Sequence, residues 1–108
     1  MAKLIHNWLI KNVHYKYHKD CLYCNPVKIF NNRGHIACAD TSILTREMFS
    51  RCNITCRIVH GTGTQGHYWT QCKINGKWYN SDATSSRNKW NKVWQNLKPD
   101  RYCGKKPC

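Results

Sequence analysis

His67-Tyr68-Trp69-Thr70-Gln71-Cys72-Lys73-Ile74-Asn75-Gly76-Lys77-Trp78-Tyr79-Asn80-Ser81-Asp82 is the stretch on which the fold turns. Asn75-Gly76 is the strongest short-range hairpin signal, because a two-residue turn of this kind needs positive φ at both positions. Such a turn pairs Ile74 with Lys77. Continued outward, the ladder pairs Trp69 with Asp82 and His67 with Thr84. Side chains alternate between faces along a strand, so His67, Trp69 and Asp82 share one face. His67 and Asp82 become diagonal neighbours, roughly 7 Å apart or less. A one-residue slip would send Asp82 to the opposite face.

Outward from the hairpin, residues 54–60 are rich in β-branched side chains and predict a strand. Residues 61–66 are a Gly- and Thr-rich loop, and the third strand runs from Lys77 to about Ala83. Upstream, Ile43, Leu44, Met48 and Cys38 fall on one face of a helix over 37–50, with Asp40 in its first turn. Leu4, Ile5, Trp8, Leu9 and Val13 recur at helical spacing and predict an amphipathic helix over 3–18. Residues 20–35 read as irregular. Beyond Thr84, Trp90, Trp94 and Leu97 suggest a short helix, and the tail from Tyr102 reads as a loop. Helices followed by an antiparallel sheet make an α+β fold.

A chain of 108 residues, 41% of them hydrophobic, fits one catalytic-size domain over 1–108 with a modest core. It is also compatible with a piece cut from a longer protein. No apolar run reaches the length of a membrane span. His6 and Asn7 interrupt the apolar start and no small-residue cleavage site follows, so a signal peptide is not expected. Either the chain stays in the cytoplasm, or it is released by lysis to act on a cell wall, or it is a fragment whose missing part handled targeting. Lys and Arg number 18 against 5 Asp and Glu, a field that attracts polyanions. An acidic polymer such as a glutamate-rich wall peptide fits this charge. The cations are spread along the chain and not gathered in a tail, which disfavours nucleic acid. A monomer is expected.

An acyl-transferring cysteine needs a thiolate, a histidine to exchange its proton and a third group to orient the imidazole. The positive end of a helix favours a thiolate. Among eight cysteines, Cys38 alone stands where a helix begins. With His67 and Asp82 on one hairpin face, the three residue types required are present in order. His60, across the loop from His67, is the competing base.

Four segments then carry a resemblance. Gly34-His35-Ile36-Ala37-Cys38-Ala39-Asp40 resembles the nucleophile segment of the transglutaminase-like superfamily, in which a cysteine opens a helix. Asn53-Ile54-Thr55-Cys56-Arg57-Ile58-Val59-His60-Gly61 is similar to its next strand, with Asn53 where the family has glycine. His67-Tyr68-Trp69 resembles its His-x-Trp segment. Gly76-Lys77-Trp78-Tyr79-Asn80-Ser81-Asp82-Ala83-Thr84 resembles its Gly-x-Trp-x-x-x-Asp-x-Thr segment. The resemblance implies a papain-like core, a nucleophile-bearing helix packed on a small antiparallel sheet. It implies Cys38 as nucleophile, His67 as general base and acid and Asp82 as orienting carboxylate, with no cofactor required for catalysis. The small, basic, cysteine-rich character further resembles the pseudomurein endoisopeptidases of methanogen viruses, which cleave an isopeptide bond in the archaeal wall. For the oxyanion, the Cys38 N–H is one donor, and Tyr23, Asn31 and Asn32 are candidates for a second.

Cys21-x-x-Cys24 and Cys103-x-x-x-x-Cys108 are expected to gather in one cluster, as a structural zinc site, as disulfides or as redox thiols. Cys52, Cys56 and Cys72 read as small packing residues. His14 and His18 read as part of a solvated helix face. Three functions follow: a cysteine peptidase acting through a thioester on an amide or isopeptide bond, a transglutaminase-type transferase to an amine, and a non-enzymatic basic zinc module binding nucleic acid.

Overall fold

The computed structural model describes residues 1–108. Three helices, α1 (Ala2–Asn12), α2 (Pro26–Asn31) and α3 (Cys38–Arg51), precede strands β1 (Cys56–Thr62), β2 (Gly66–Ile74) and β3 (Lys77–Ser81). A fourth strand, β4 (Arg101–Gly104), completes an antiparallel sheet in the order β3-β2-β1-β4.

The hairpin forms as its turn dictates. Asn75 and Gly76 both take positive φ, 51° and 80°. The register runs from Ile74 opposite Lys77 to Thr70 opposite Ser81, which puts Trp69 and Asp82 level at the next step. The odd face of β2 carries His67, Trp69 and Gln71. The even face, with Thr70 and Cys72, packs on α3, where the Thr70 hydroxyl donates to the Ser42 carbonyl at 2.8 Å. Gly61 on β1 is required by this packing: a Cβ there would lie 2.7 Å from the Lys98 carbonyl and 2.8 Å from the Trp69 ring.

α3 is buried along polar residues as well as apolar ones. Thr41, Ser42 and Thr45 donate their hydroxyls back to helix carbonyls and so enter the core satisfied. Leu9, Ile29, Phe49 and Ile58 are fully buried around it. Asn53 follows α3 with φ 58°, the left-handed conformation that ends many helices. Asparagine tolerates it, which explains how it can stand where the family carries glycine.

Several expectations are corrected. α1 stops at Asn12, not at residue 18, because Val13 turns extended and is buried. His14 and Lys16 then exchange backbone hydrogen bonds with Arg33 and Ile36, so 13–16 is a strand-like segment beside the start of α3. His14 and His18 therefore share no helix face. Residues 26–31 are helical, not irregular: Asn25 caps the Val27 and Lys28 N–H groups and Pro26 occupies the first turn. After Thr84 only a short 3-10 turn forms at Trp94–Asn96, and the tail is strand β4. Cys72 is buried and Cys56 half-buried as packing residues, but Cys52 is exposed at the end of α3.

The four outer cysteines do not converge. Cys21 joins Cys24 and Cys103 joins Cys108, closing loops of sequence separation 3 and 5. Cys21 and Cys24 group with Asp40, and neither Cys103 nor Cys108 belongs to that group. The reason is local: Cys103 rides on β4 beside β1, whereas 22–24 is anchored on α3. Asp40, fully buried, accepts the Leu22, Tyr23 and Cys24 N–H groups at 2.8–3.1 Å. Removing that carboxylate would strand three donors. Asp40→Ala is expected to lower stability by about 3 kcal/mol, read from urea unfolding. An unchanged midpoint would show that the loop does not depend on this anchor.

Candidate active site

Three elements bring the predicted site residues together. Cys38 is the first residue of α3, half-buried, with Ala37 as its cap and no side chain competing for the helix N–H groups. His67 opens β2, and Asp82 follows directly on β3. His67 Nε2 lies 2.8 Å from Asp82 Oδ2, and both side chains are buried. Cys38 lies close enough that its thiol, together with Asp82, helps to hold the His67 pKa up. With Nε2 held by the carboxylate, Nδ1 is the nitrogen left for the thiol. Imidazole thus stands between carboxylate and thiol.

The Asp82 carboxylate is fully occupied. Oδ2 also accepts the Trp94 N–H at 2.9 Å, and Oδ1 accepts the Thr84 hydroxyl at 2.8 Å. Trp94 was not legible as a site residue, since a backbone N–H leaves no trace in side-chain identity. Its ring also tilts over His67 with centroids 5.1 Å apart, while the Trp69 ring stacks on it at 5.9 Å. The imidazole is therefore fixed in plane and tilt.

Burial pulls the His67 pKa down, but hydrogen bonds to Asp82 and Cys38, with the charges of both, outweigh it and raise the value to about 9. The ordinary value is 6.5. A histidine that holds its proton more tightly when folded stabilises the fold below the unfolded value. The His67 contribution is therefore expected in full below pH ~6.5 and lost as pH rises through about 9. Urea midpoints of the wild type and His67→Gln across pH 6 to 10 test this. A gap between them that widens toward alkaline pH would contradict the assignment.

A second buried histidine supports the site from behind. His6 donates from Nε2 to the Asn88 carbonyl and accepts the Ser81 hydroxyl at Nδ1, each at 2.7 Å. Burial lowers its pKa, so it serves as a neutral bracket between α1 and the end of β3, one residue before Asp82. His60 faces Asp100 at 2.7 Å, joined by Thr62, and secures the approach to β4. That histidine has a carboxylate but no thiol partner.

None of the three predicted oxyanion donors reaches the site. The Tyr23 hydroxyl bonds His35, Asn32 donates to the Lys28 carbonyl at the end of α2, and Asn31 is exposed. The formation of α2 puts Asn31 in its last turn and Asn32 at its C-cap. Instead Tyr15 lines a cleft of about 500 Å³ together with His67, Thr84, Trp94 and Gln65. Tyr15 bridges to Ile36, two residues before Cys38. Its pKa is raised by burial and by the charges of Cys38, Tyr17 and Asp82, so its hydroxyl keeps its proton. The sequence signal for it was obscured by reading residues 13–18 as helix.

Residues 1–83 match the model of the transglutaminase-like superfamily. The chain belongs to the transglutaminase-like superfamily. Its fold also matches the crystal structure of a protein described as a putative cysteine protease from Cytophaga hutchinsonii, with a TM-score of 0.78 at 19% identity. That match covers 97% of this chain and 36% of the other, so the chain spans about a third of that protein's length. No curated protein matches. The papain-like α+β architecture expected from the four motifs is thereby established for this superfamily member. No helix is long and apolar enough to cross a membrane.

Proposed function

We propose that this superfamily member is a cysteine peptidase that cleaves an amide or isopeptide bond through a thioester on Cys38. The observation that carries the reading is the imidazole of His67 held between Asp82 at 2.8 Å and the Cys38 thiol. In this reading the Cys38 thiolate attacks the carbonyl carbon and its electron pair forms the C–S bond. The carbonyl oxygen gathers negative charge, received by the Cys38 N–H at the start of α3 and by the Tyr15 hydroxyl. His67 passes its proton to the leaving nitrogen, the C–N bond breaks and an amine departs. Water then attacks the thioester while His67 takes its proton, and the acid is released with the thiolate restored. Asp82 orients the ring and stabilises its protonated form throughout.

An amine could replace water in the second half without changing these roles. Hydrolysis is preferred because the cleft is lined mostly by polar side chains and admits water. The substrate proposed is a peptide crosslink of an archaeal pseudomurein wall, attacked by a monomer after lysis frees it. Support comes from the small, basic, cysteine-rich character of the chain and from a net charge of +13, suited to an acidic polymer.

Limiting iodoacetamide followed by peptide mapping tests the nucleophile, with isopeptide-linked wall peptides assayed for amine release in parallel. Cys38 is expected to label before the exposed Cys52. Burial raises the pKa of Cys56 and Cys72, so these should label last. Labelling of Cys52 ahead of Cys38 would reject the nucleophile. Rapid Cys38 labelling without amine release would reject the wall substrate alone.

A further inference from the structure

Most of the wall of the cleft beside His67 comes from residues 84–95, beyond the part of the chain matched to the superfamily. Two cations, Arg87 and Lys92, stand in that wall, and no aspartate or glutamate lines the cleft with them. Neither forms an ion pair. Their isolation follows from where the five carboxylates are placed. Asp40 is taken by the 22–24 loop, Glu47 by Arg46 and Arg51, Asp82 by His67 and Asp100 by His60. Asp20, the fifth, does not line the cleft.

The segment that carries the two cations is held at fixed points. Asn88 is buried, accepts His6 at its carbonyl and donates its N–H to the Ser85 carbonyl. Asn91 donates its N–H to the Asn80 carbonyl and accepts the Asn80 N–H at its side chain. Arg87 and Lys92 thus project from a backbone tied to α1 and β3. Both residues are exposed, where the cost of desolvating a partner is low, and both line the cleft, where their fields act on a bound group.

We propose that Arg87 and Lys92 form an anion subsite that selects acyl donors bearing a carboxylate close to the scissile carbonyl. The guanidinium suits a carboxylate through its paired donors, and the ammonium adds a second charge. This inference deepens the peptidase reading and rests on it for the word donor, but the charge preference of the cleft can be measured without turnover.

The probe is a matched pair of alkylating agents, iodoacetate and iodoacetamide. They displace iodide by the same thiolate attack and differ by one negative charge. Peptide mapping gives the rate of each at Cys38, and the iodoacetate-to-iodoacetamide ratio isolates the charge effect. In Arg87→Gln/Lys92→Gln this ratio is expected to fall about five- to tenfold, and the wild-type ratio to fall with added salt. Lys105→Gln/Lys106→Gln removes two cations that do not line the cleft and should leave the ratio close to wild type. An equal fall in both double variants would show a net-charge effect and overturn the subsite. So would an unchanged ratio in the Arg87 and Lys92 variant. A second arm uses peptides with glutamate or glutamine beside the scissile bond. The Arg87 and Lys92 variant should raise KM about tenfold for the glutamate peptide, with kcat and the glutamine peptide unaffected. If the alkylation ratio shifts as expected but neither peptide is cleaved by the wild type, the anion subsite stands and the peptidase reading fails.

Discussion

Cys38→Ala is expected to abolish turnover, by a factor on the order of 10⁶, while leaving the fold in place. The chemical half of this expectation is direct: Cys38 is the one thiol that acts on the His67 pKa. The structural half follows from position. Cys38 is only half-buried, opens α3 between Ala37 and Ala39, and alanine is the best helix former. Losing one sulfur there should cost about 1 kcal/mol or less. Amine release from wall peptides and a urea titration on the same variant separate the two effects. Activity near wild type would remove the nucleophile assignment. If the variant also kept a nucleic-acid affinity that fell steeply with salt, the basic binding module would become the better reading.

The legible parts of this molecule were those fixed by neighbours in sequence. Asn75-Gly76 sets its own turn and therefore the register, and the register alone aligns His67 with Asp82. The helix that Cys38 opens could be read because Ile43, Leu44 and Met48 recur at helical spacing and Asp40 sits in its first turn. The family motifs then pointed to the same three side chains. What escaped was decided by contacts from far along the chain. α1 ends early because 14–16 finds hydrogen-bond partners at 33–36, which no helical periodicity reveals. β4 exists only because β1 offers an edge to a tail that looks like a loop. Trp94 reaches Asp82 through its backbone N–H. α2 is a different case, since Asn25-Pro26 was a cap signal written in the sequence and outweighed by the polar character around it. The terminal cysteine pairs show the limit of counting: two pairs in a small chain suggested one cluster, yet each closes on itself.

Asp82→Asn should keep the fold and lose activity by a factor on the order of 100. The fold should survive because an amide keeps the Trp94 and His67 contacts and gives up only the long 3.4 Å contact from the Thr84 N–H to Oδ1. Trp94 N–H and His67 Nε2–H both donate toward Oδ2, so the asparagine carbonyl must turn that way. Its amide then faces the Thr84 hydroxyl, which can rotate to accept. The His67 ring therefore keeps its orientation and its free Nδ1 toward Cys38. What vanishes is the negative charge. Without it one of the charges that raise the His67 pKa is gone, so the value falls below about 9 while Cys38 still holds it up, and the protonated ring beside the thiolate becomes less favoured. A carboxylate that only fixed the tautomer would cost little here, because Trp94 enforces the same hydrogen bond on the amide. A carboxylate that also stabilises charge should cost distinctly more. The pH profile of kcat/KM distinguishes the two. The alkaline limb, set by loss of the His67 proton, should move to lower pH in Asp82→Asn. A drop in rate with an unmoved limb would assign Asp82 to orientation alone. A neutral Asp82→Asn beside an inactive but folded Asp40→Asn would transfer the role to Asp40.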